Sequence, residues 1–293
     1  MAEFISWTTQ LLAAGAEALV SMLADLVWPF MFFTGLALII RRGKIVDDLR
    51  RVLPETSVTF GLMLFNLLIT VPALTGAAFV MVWIGSTTLP GFLSTEIWAA
   101  LPGIVVILTA ITIGDFVGYW RNRFEHTRFL WPSHTAHHSD TEITWFALER
   151  FHPINRATTY FIDQGLLVLL GFPVEAIIAN GFVRHYYGFL IHADLPWTYG
   201  PLGRIFVSPA MHRWHHANDP VYFKTNFATV FSLWDQMFGT FRVPGPCTVP
   251  LGVSEDMGSG TTGQLLHPFR LRAYRRNDAE AAAYADGNEP LRQ

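Results

Sequence analysis

The stretches "HTAHHSD", residues 134–140, and "HRWHHAND", residues 212–219, share one pattern: a histidine, two residues, then a histidine pair. Residues at i, i+3 and i+4 lie on one helix face. Each triplet, His134, His137 and His138 or His212, His215 and His216, is therefore expected to converge on a common point, and two such faces can enclose a two-metal site. Burying so many imidazoles without a metal would leave polar groups in need of other partners.

The surrounding chain reads as a membrane protein. Of 293 residues, 51% are hydrophobic and 15% charged, the mean hydropathy is +0.32, and 24 Phe and 10 Trp supply the aromatic residues common at lipid interfaces. A net charge of -3 gives no ground for a nucleic-acid partner. One cysteine, Cys247, excludes an intramolecular disulfide and thiolate-held metal clusters, which leaves imidazole as the available ligand.

A helix needs about 20 mostly apolar residues to cross a bilayer, and the segments near 18–40, 58–84 and 97–120 qualify, after a short amphipathic lead-in over 1–16. Without the basic region and cleavage site of a secretory signal, the first segment is expected to stay as an anchor. Residues 158–192 are apolar but broken by Gly171, Pro173 and Gly181, which predicts a hairpin of two shorter helices. Five Lys and Arg lie in "RRGKIVDDLRR" at 41–51 and none in 1–40 or 52–120. Such clustering marks cytoplasmic loops, so both triplets are expected to face the cytoplasm, at the inner membrane if the source is bacterial.

Upstream of the first triplet, "DFVGYWRNRFEH" places Asp115, Tyr119, Asn122 and His126 on one helical stripe at the end of a span. An acidic residue there needs a partner. Asp115 can orient a metal-bound imidazole through its second nitrogen or bond to a neighbouring helix. Between the triplets, "RHYYGFLIHAD" sets His185 and His192 seven residues apart on one face as candidate ligands. In "WDQMFGTF", Trp234 and Phe238 read as core, and Asp235 as a partner for a ligand histidine, with Asn218, Asp219 and Asn226 as further candidates for that role.

Taken in order, "DFVGYWRNRFEH", "WPSHTAHHSD", "LERFHP", "FLIHADLP", "VSPAMHRWHH" and "TNFATVFSLWDQMFGTF" resemble the motifs of the fatty acid hydroxylase and sterol desaturase superfamily, integral-membrane, histidine-rich di-iron enzymes, over about 115–242. The resemblance implies metal ligation by His126, His134, His137, His138, His192, His212, His215 and His216, and less directly by His185 and His152. It implies two irons, which zinc can replace, and dioxygen as co-substrate. It also implies a membrane lipid as substrate and electrons from a separate donor such as a ferredoxin or a cytochrome b5-like protein, since the sequence shows no haem, flavin or nicotinamide domain. Hydroxylation is the expected reaction, with desaturation as the alternative.

The chain departs from the family where relatives usually read His-Arg-x-x-His and it reads "NRFEH". Asn122 can ligate through its amide oxygen, stand beside a water, or have no metal role. A metal that relied on the weaker amide would be the looser of the two.

"GSGTTG", residues 258–263, fits G-x-G-x-x-G but has no room for the following βαβ unit, and reads as a flexible cytoplasmic loop. A metal transporter would instead spread ionisable residues along several spans, and a metal hydrolase would need fewer ligands and an open position for water. The resulting expectation is an all-α integral-membrane bundle of about four membrane segments under a cytoplasmic helical cap. It divides into spanning helices at 1–114, a catalytic domain at 115–245 and a cytoplasmic tail at 246–293.

Overall fold

The computed structural model describes residues 2–41, 45–88 and 95–274. The basic residues at 42 and 44 and the tail from 275 onward, on which part of the orientation and tail expectations rest, lie outside the described residues. Among the described residues the secondary structure is helical, with two isolated β-bridges and no strand.

Helix α1 covers Ala2–Arg41 and takes in residues 2–16 without a break. Helix α2, Ile45–Phe65, runs through a π-turn at Asn66–Thr70 into α3, Val71–Thr88, without interruption. After the short α4, Glu96–Ala99, α5 extends over Gly103–Glu125. Among the described residues three stretches are long and apolar enough to cross a membrane: Leu19–Ile40, Val46–Gly85 and Gly103–Glu125. At 1.5 Å per residue, the 40 residues of the second exceed the hydrocarbon thickness about twofold. Its first half is bound to the rest of the fold: Glu55 pairs with Arg150 at 2.7 Å, Arg51 pairs with Glu142, and Asn66 Nδ2 donates to Phe151 O at 2.8 Å. Trp28, Phe32, Ile39, Phe79 and Trp83 point outward, the inverse of a water-facing helix surface.

The hairpin expected over 158–192 is present. Its first arm is α7, Pro153–Thr158, a π-turn at Thr159–Gln164, and α8, Gly165–Leu169. The chain reverses at Gly171, whose φ of 72° suits glycine, and returns as α9, Val174–His192. Helices α5 and α9 pack closely because Gly114 and Gly118 leave room for Asn180 and Arg184, and a Cβ at either glycine would collide with those side chains. Small residues four apart make this approach available within a membrane bundle.

The cap carries α6, Trp131–His138, α10, Pro209–His215, α11, Leu233–Met237, and α12, Gly260–Leu266. Trp234 and Phe238 join a core built on Tyr119, Ile191, Met211 and Phe227. The "GSGTTG" run is not a free loop. Residues from Gly260 form α12, Gly61 of α2 makes space for Thr261, and Gln264 Nε2 donates to Ser139 Oγ at 3.0 Å. Packing against α2 overrides the weak helix propensity of glycine and threonine.

Candidate metal centre

Four helices bring the histidines together. His126 caps the C-terminus of α5 and His192 ends α9. Helix α6 has Pro132 in its first turn, and α10 starts with Pro209 behind Ser208, whose Oγ accepts from Met211 N at 3.1 Å. Seven of the eight histidines are buried and His126 is half-buried.

They form two groups of four: His126, His134, His138 and His215, and His137, His192, His212 and His216. Within each group the candidate ligand atoms lie within 4.8 Å of one another. This corrects the expectation that each triplet meets at one point. The i and i+4 members of a triplet serve one group, and the i+3 member crosses to the other. A helix advances about 100° per residue, so i+3 and i+4 diverge enough for adjacent sites to take one each.

The Nε2 atoms of His134 and His138 are 3.2 Å apart. In the second group the Nε2 separations are 3.3 Å for His137 and His192, 2.9 Å for His192 and His212, and 3.1 Å for His212 and His216. Nitrogens bound at about 2.0–2.1 Å around one tetrahedral ion would stand roughly 3.3 Å apart. His138 and His216 stack at 4.3 Å between centroids and form the wall between the groups.

The ring environments suit ligation. Burial, reinforced by the neighbouring imidazoles, holds His137, His138, His212 and His216 well below the ordinary imidazole pKa. Burial lowers His215 to about 4 against the opposing bond to Thr225. These rings are neutral near pH 7, as metal ligands must be. His192 Nδ1 donates to Gly188 O at 2.7 Å and His215 Nδ1 to Thr225 O at 2.8 Å, which turns each Nε2 lone pair inward. Trp131 packs on His126 and His138, Phe151 stacks on His137, and Phe227 covers His126 and His215.

All eight histidines fall within residues 107–240, which match the fatty acid hydroxylase family model. Over that region the chain is similar to the fatty acid hydroxylase family. It is 32% identical over 165 residues to the ornithine lipid hydroxylase of Rhizobium tropici, covering 56% of this chain and 50% of that protein. To the alkylglycerol monooxygenase of Caenorhabditis elegans it is 32% identical over 131 residues, 44% of this chain and 25% of the other. To a very-long-chain aldehyde decarbonylase of Oryza sativa it is 22% identical over 170 residues, 54% of this chain and 26% of the other. The chain thus matches half or less of the length of these relatives. No solved structure matches it.

Other residues named from the sequence stand elsewhere. His185 is half-exposed, 3.7 Å from Glu149, and outside both groups. His152 caps α7: its Nδ1 accepts from Ile154 N at 3.1 Å and its Nε2 lies 3.1 Å from Leu265 O. Asp115 does not orient an imidazole. It accepts from Val230 N, Phe231 N and Trp234 Nε1 at 2.8–3.0 Å, which docks the cap onto α5.

Asp235 likewise misses the histidines and accepts from Phe227 N, Ala228 N and Thr240 Oγ1. Asn226 bonds Met211 O and both backbone groups of Arg242. Together these bonds hold the 224–228 loop, where Lys224 and Asn226 have φ of 63° and 58°, and so present Thr225 O to His215. Asn218 pairs with Ser254, and Asp219 accepts from Val221 N. Asn122 Nδ2 donates to Phe227 O at 2.9 Å and lies 3.3 Å from His215 Nε2, while its Oδ1 is buried without a partner.

The sequence reading missed Glu125, whose Oε2 is 3.2 Å from His134 Nδ1, and Asn155, whose Nδ2 is 3.3 Å from the same atom. The spacing of Arg121 and Glu125, four apart on α5, was the available signal of an ion pair on that face.

Proposed function

We propose that the chain is a membrane-bound hydroxylase that uses dioxygen and two external electrons to oxidise a C–H bond of a lipid. The observation that carries this reading is the pair of four-histidine groups sharing one wall beside apolar, membrane-length helices. On this reading, His126, His134, His138 and His215 hold one iron and His137, His192, His212 and His216 the other, with zinc able to replace either. When bound there, the irons supply the oxidising chemistry for RH + O2 + 2 electrons + 2 protons → ROH + H2O. The chain's own residues keep the eight rings neutral by burial, fix the tautomers of His192 and His215 through Gly188 O and Thr225 O, and shield the site with Trp131, Phe151 and Phe227.

The electron balance requires a donor, for which a ferredoxin or a cytochrome b5-like protein is proposed, docking on the cap from the cytoplasm. The relatives named for lipid hydroxylation support a membrane lipid as substrate. We assign 1–114 to membrane insertion and 115–245 to catalysis, with 246–274 completing the cap. A transporter is disfavoured because the histidines gather at one place.

Lipid profiling of cells with and without the chain, grown under 18O2, tests the reading. A lipid that gains one labelled oxygen only when the chain is present is the expected result. Unchanged lipids, or label arriving from water, would refute it.

A further inference from the structure

Among the described residues, Glu125 is the one carboxylate within 4 Å of a ring nitrogen of either histidine group. It is fully buried and ends a charged chain that runs between the helices of the bundle. Arg121 Nη1 donates to Glu125 Oε2 at 2.6 Å and Arg121 Nε to Asp163 Oδ1 at 2.9 Å. Arg184 Nη1 donates to Asp163 Oδ2 at 2.7 Å, and Arg184 Nε lies 3.8 Å from Asp115 Oδ1. Thr158 Oγ1 donates to the other oxygen of Glu125. Three carboxylates face two guanidinium groups, which leaves the chain one negative charge in excess, and at its end Glu125 shares Oε2 between Arg121 Nη1 and His134 Nδ1.

An uncompensated buried charge is costly unless something of opposite sign stands nearby. A cation held by four neutral imidazoles on the far side of His134 meets that need. Conversely, His134 Nδ1–H on a carboxylate becomes a more basic ligand through Nε2. The second group has no carboxylate equivalent: His192 leans on the Gly188 carbonyl, His137 lies against the Arg150 backbone, and Nδ1 of His212 and His216 has no hydrogen-bond partner.

We propose that Glu125 is a positioning residue that gives the ion of the first group a buried counter-charge through His134 and makes it the more tightly held of the two. This reverses the order of retention expected from Asn122 alone. It rests on the two-metal reading above.

The test is metal release from the purified full-length chain, loaded with ferrous iron or with zinc and challenged with excess EDTA near neutral pH. The unmodified protein is expected to lose one ion quickly and one slowly. Glu125→Gln, which keeps the shape and an acceptor but removes the charge, is expected to speed the slow ion by about 10- to 100-fold, the usual cost of losing a ligand-orienting partner. It should leave the fast ion unchanged, and Glu125→Asp should restore part of the difference. Two ions leaving the unmodified protein at one common rate would overturn the role of Glu125 without any variant. So would a Glu125→Gln protein that speeds the fast ion or neither. Binding of fewer than two ions would overturn the two-metal reading itself and this inference with it.

Discussion

The two histidine groups follow one plan in different surroundings. Each takes a histidine from the end of a long helix, His126 or His192, an i, i+4 pair from one triplet, and the i+3 residue of the other triplet. The first group adds a carboxylate at His134 and an amide at His215. The second is buried throughout and leans on backbone. Equal ligand sets therefore do not make equal sites. What distinguishes them lies in the groups behind the imidazoles.

The crossing of the i+3 histidines gives the largest test. His137→Ala, in the first triplet, should empty the second group, and His215→Ala, in the second triplet, should empty the first. Each variant should bind one ion instead of two and lose more than about 100-fold in turnover, beyond what an orienting partner costs. Metal-to-protein ratios combined with the EDTA release rate identify the ion that remains. If His137→Ala kept only the fast-released ion, the assignment of crossing ligands would be broken.

Acid should empty both groups. Burial lowers the pKa of the clustered rings, with His215 at about 4, against about 6.5 in an unfolded chain. Between these values the unfolded chain binds more protons than the folded one, so the rings favour the folded state above about pH 6.5 and that contribution falls as pH drops toward 4. Protons then compete with metal for the same nitrogens. Bound metal measured after gel filtration at stepped pH should be constant above about pH 6.5 and decline below it, the second group first if Glu125 acts as proposed. Retention that is flat down to pH 4 would contradict ligation by these imidazoles.

How much of this was legible in the sequence follows from the range of each signal. Apolar length announced the spanning helices, and the repeated triplet with His126 and His192 announced the eight clustered histidines. The division of those histidines was hidden, because i, i+3 and i+4 share a face only to within a helical turn's breadth, and two adjacent sites can split that face. Asp115 and Asp235 were legible as buried acids in need of partners, but the partners are backbone amides of a loop more than a hundred residues away for Asp115 and seven or eight away for Asp235. No periodicity reports loop amides. Glu125 stands beside His126 in the chain, yet faces α6 and α7 across the bundle, a contact that only the tertiary packing creates.

Asp235 offers a smaller effect on one side of the comparison. It holds Phe227 and Ala228, and through that loop the carbonyl of Thr225 that orients His215. Asp235→Ala would leave two buried amides unpaired, at about 1–3 kcal/mol each. It should speed release of the ion in the first group by about tenfold, at the low end for a ligand-supporting contact, while the second group is unchanged. Equal loosening of both groups would mean that the cap moves as one unit.

The smallest effect is expected at Asn122, where the chain departs from the family pattern. Its Nδ2 is committed to Phe227 O, which sets the amide with its nitrogen edge beside His215 Nε2 and leaves Oδ1 buried without a partner. An amide beside His215 whose acceptor is left unpaired is suited to a weak contact with the ion of the first group or with a water on it. Four histidines and the Glu125 carboxylate already serve that ion, so Asn122→Ala should speed its release by only a few-fold, less than Glu125→Gln. Asn122→His, which puts an imidazole in place of the amide, should slow it. The same EDTA assay reads both variants, with thermal stability followed alongside because the bond to Phe227 O is lost in each. If release from the first group is the same with Asn, Ala and His at position 122 while thermal stability falls with Ala, the amide serves only to hold the Phe227 loop, and the contrast between the two groups rests on Glu125 alone.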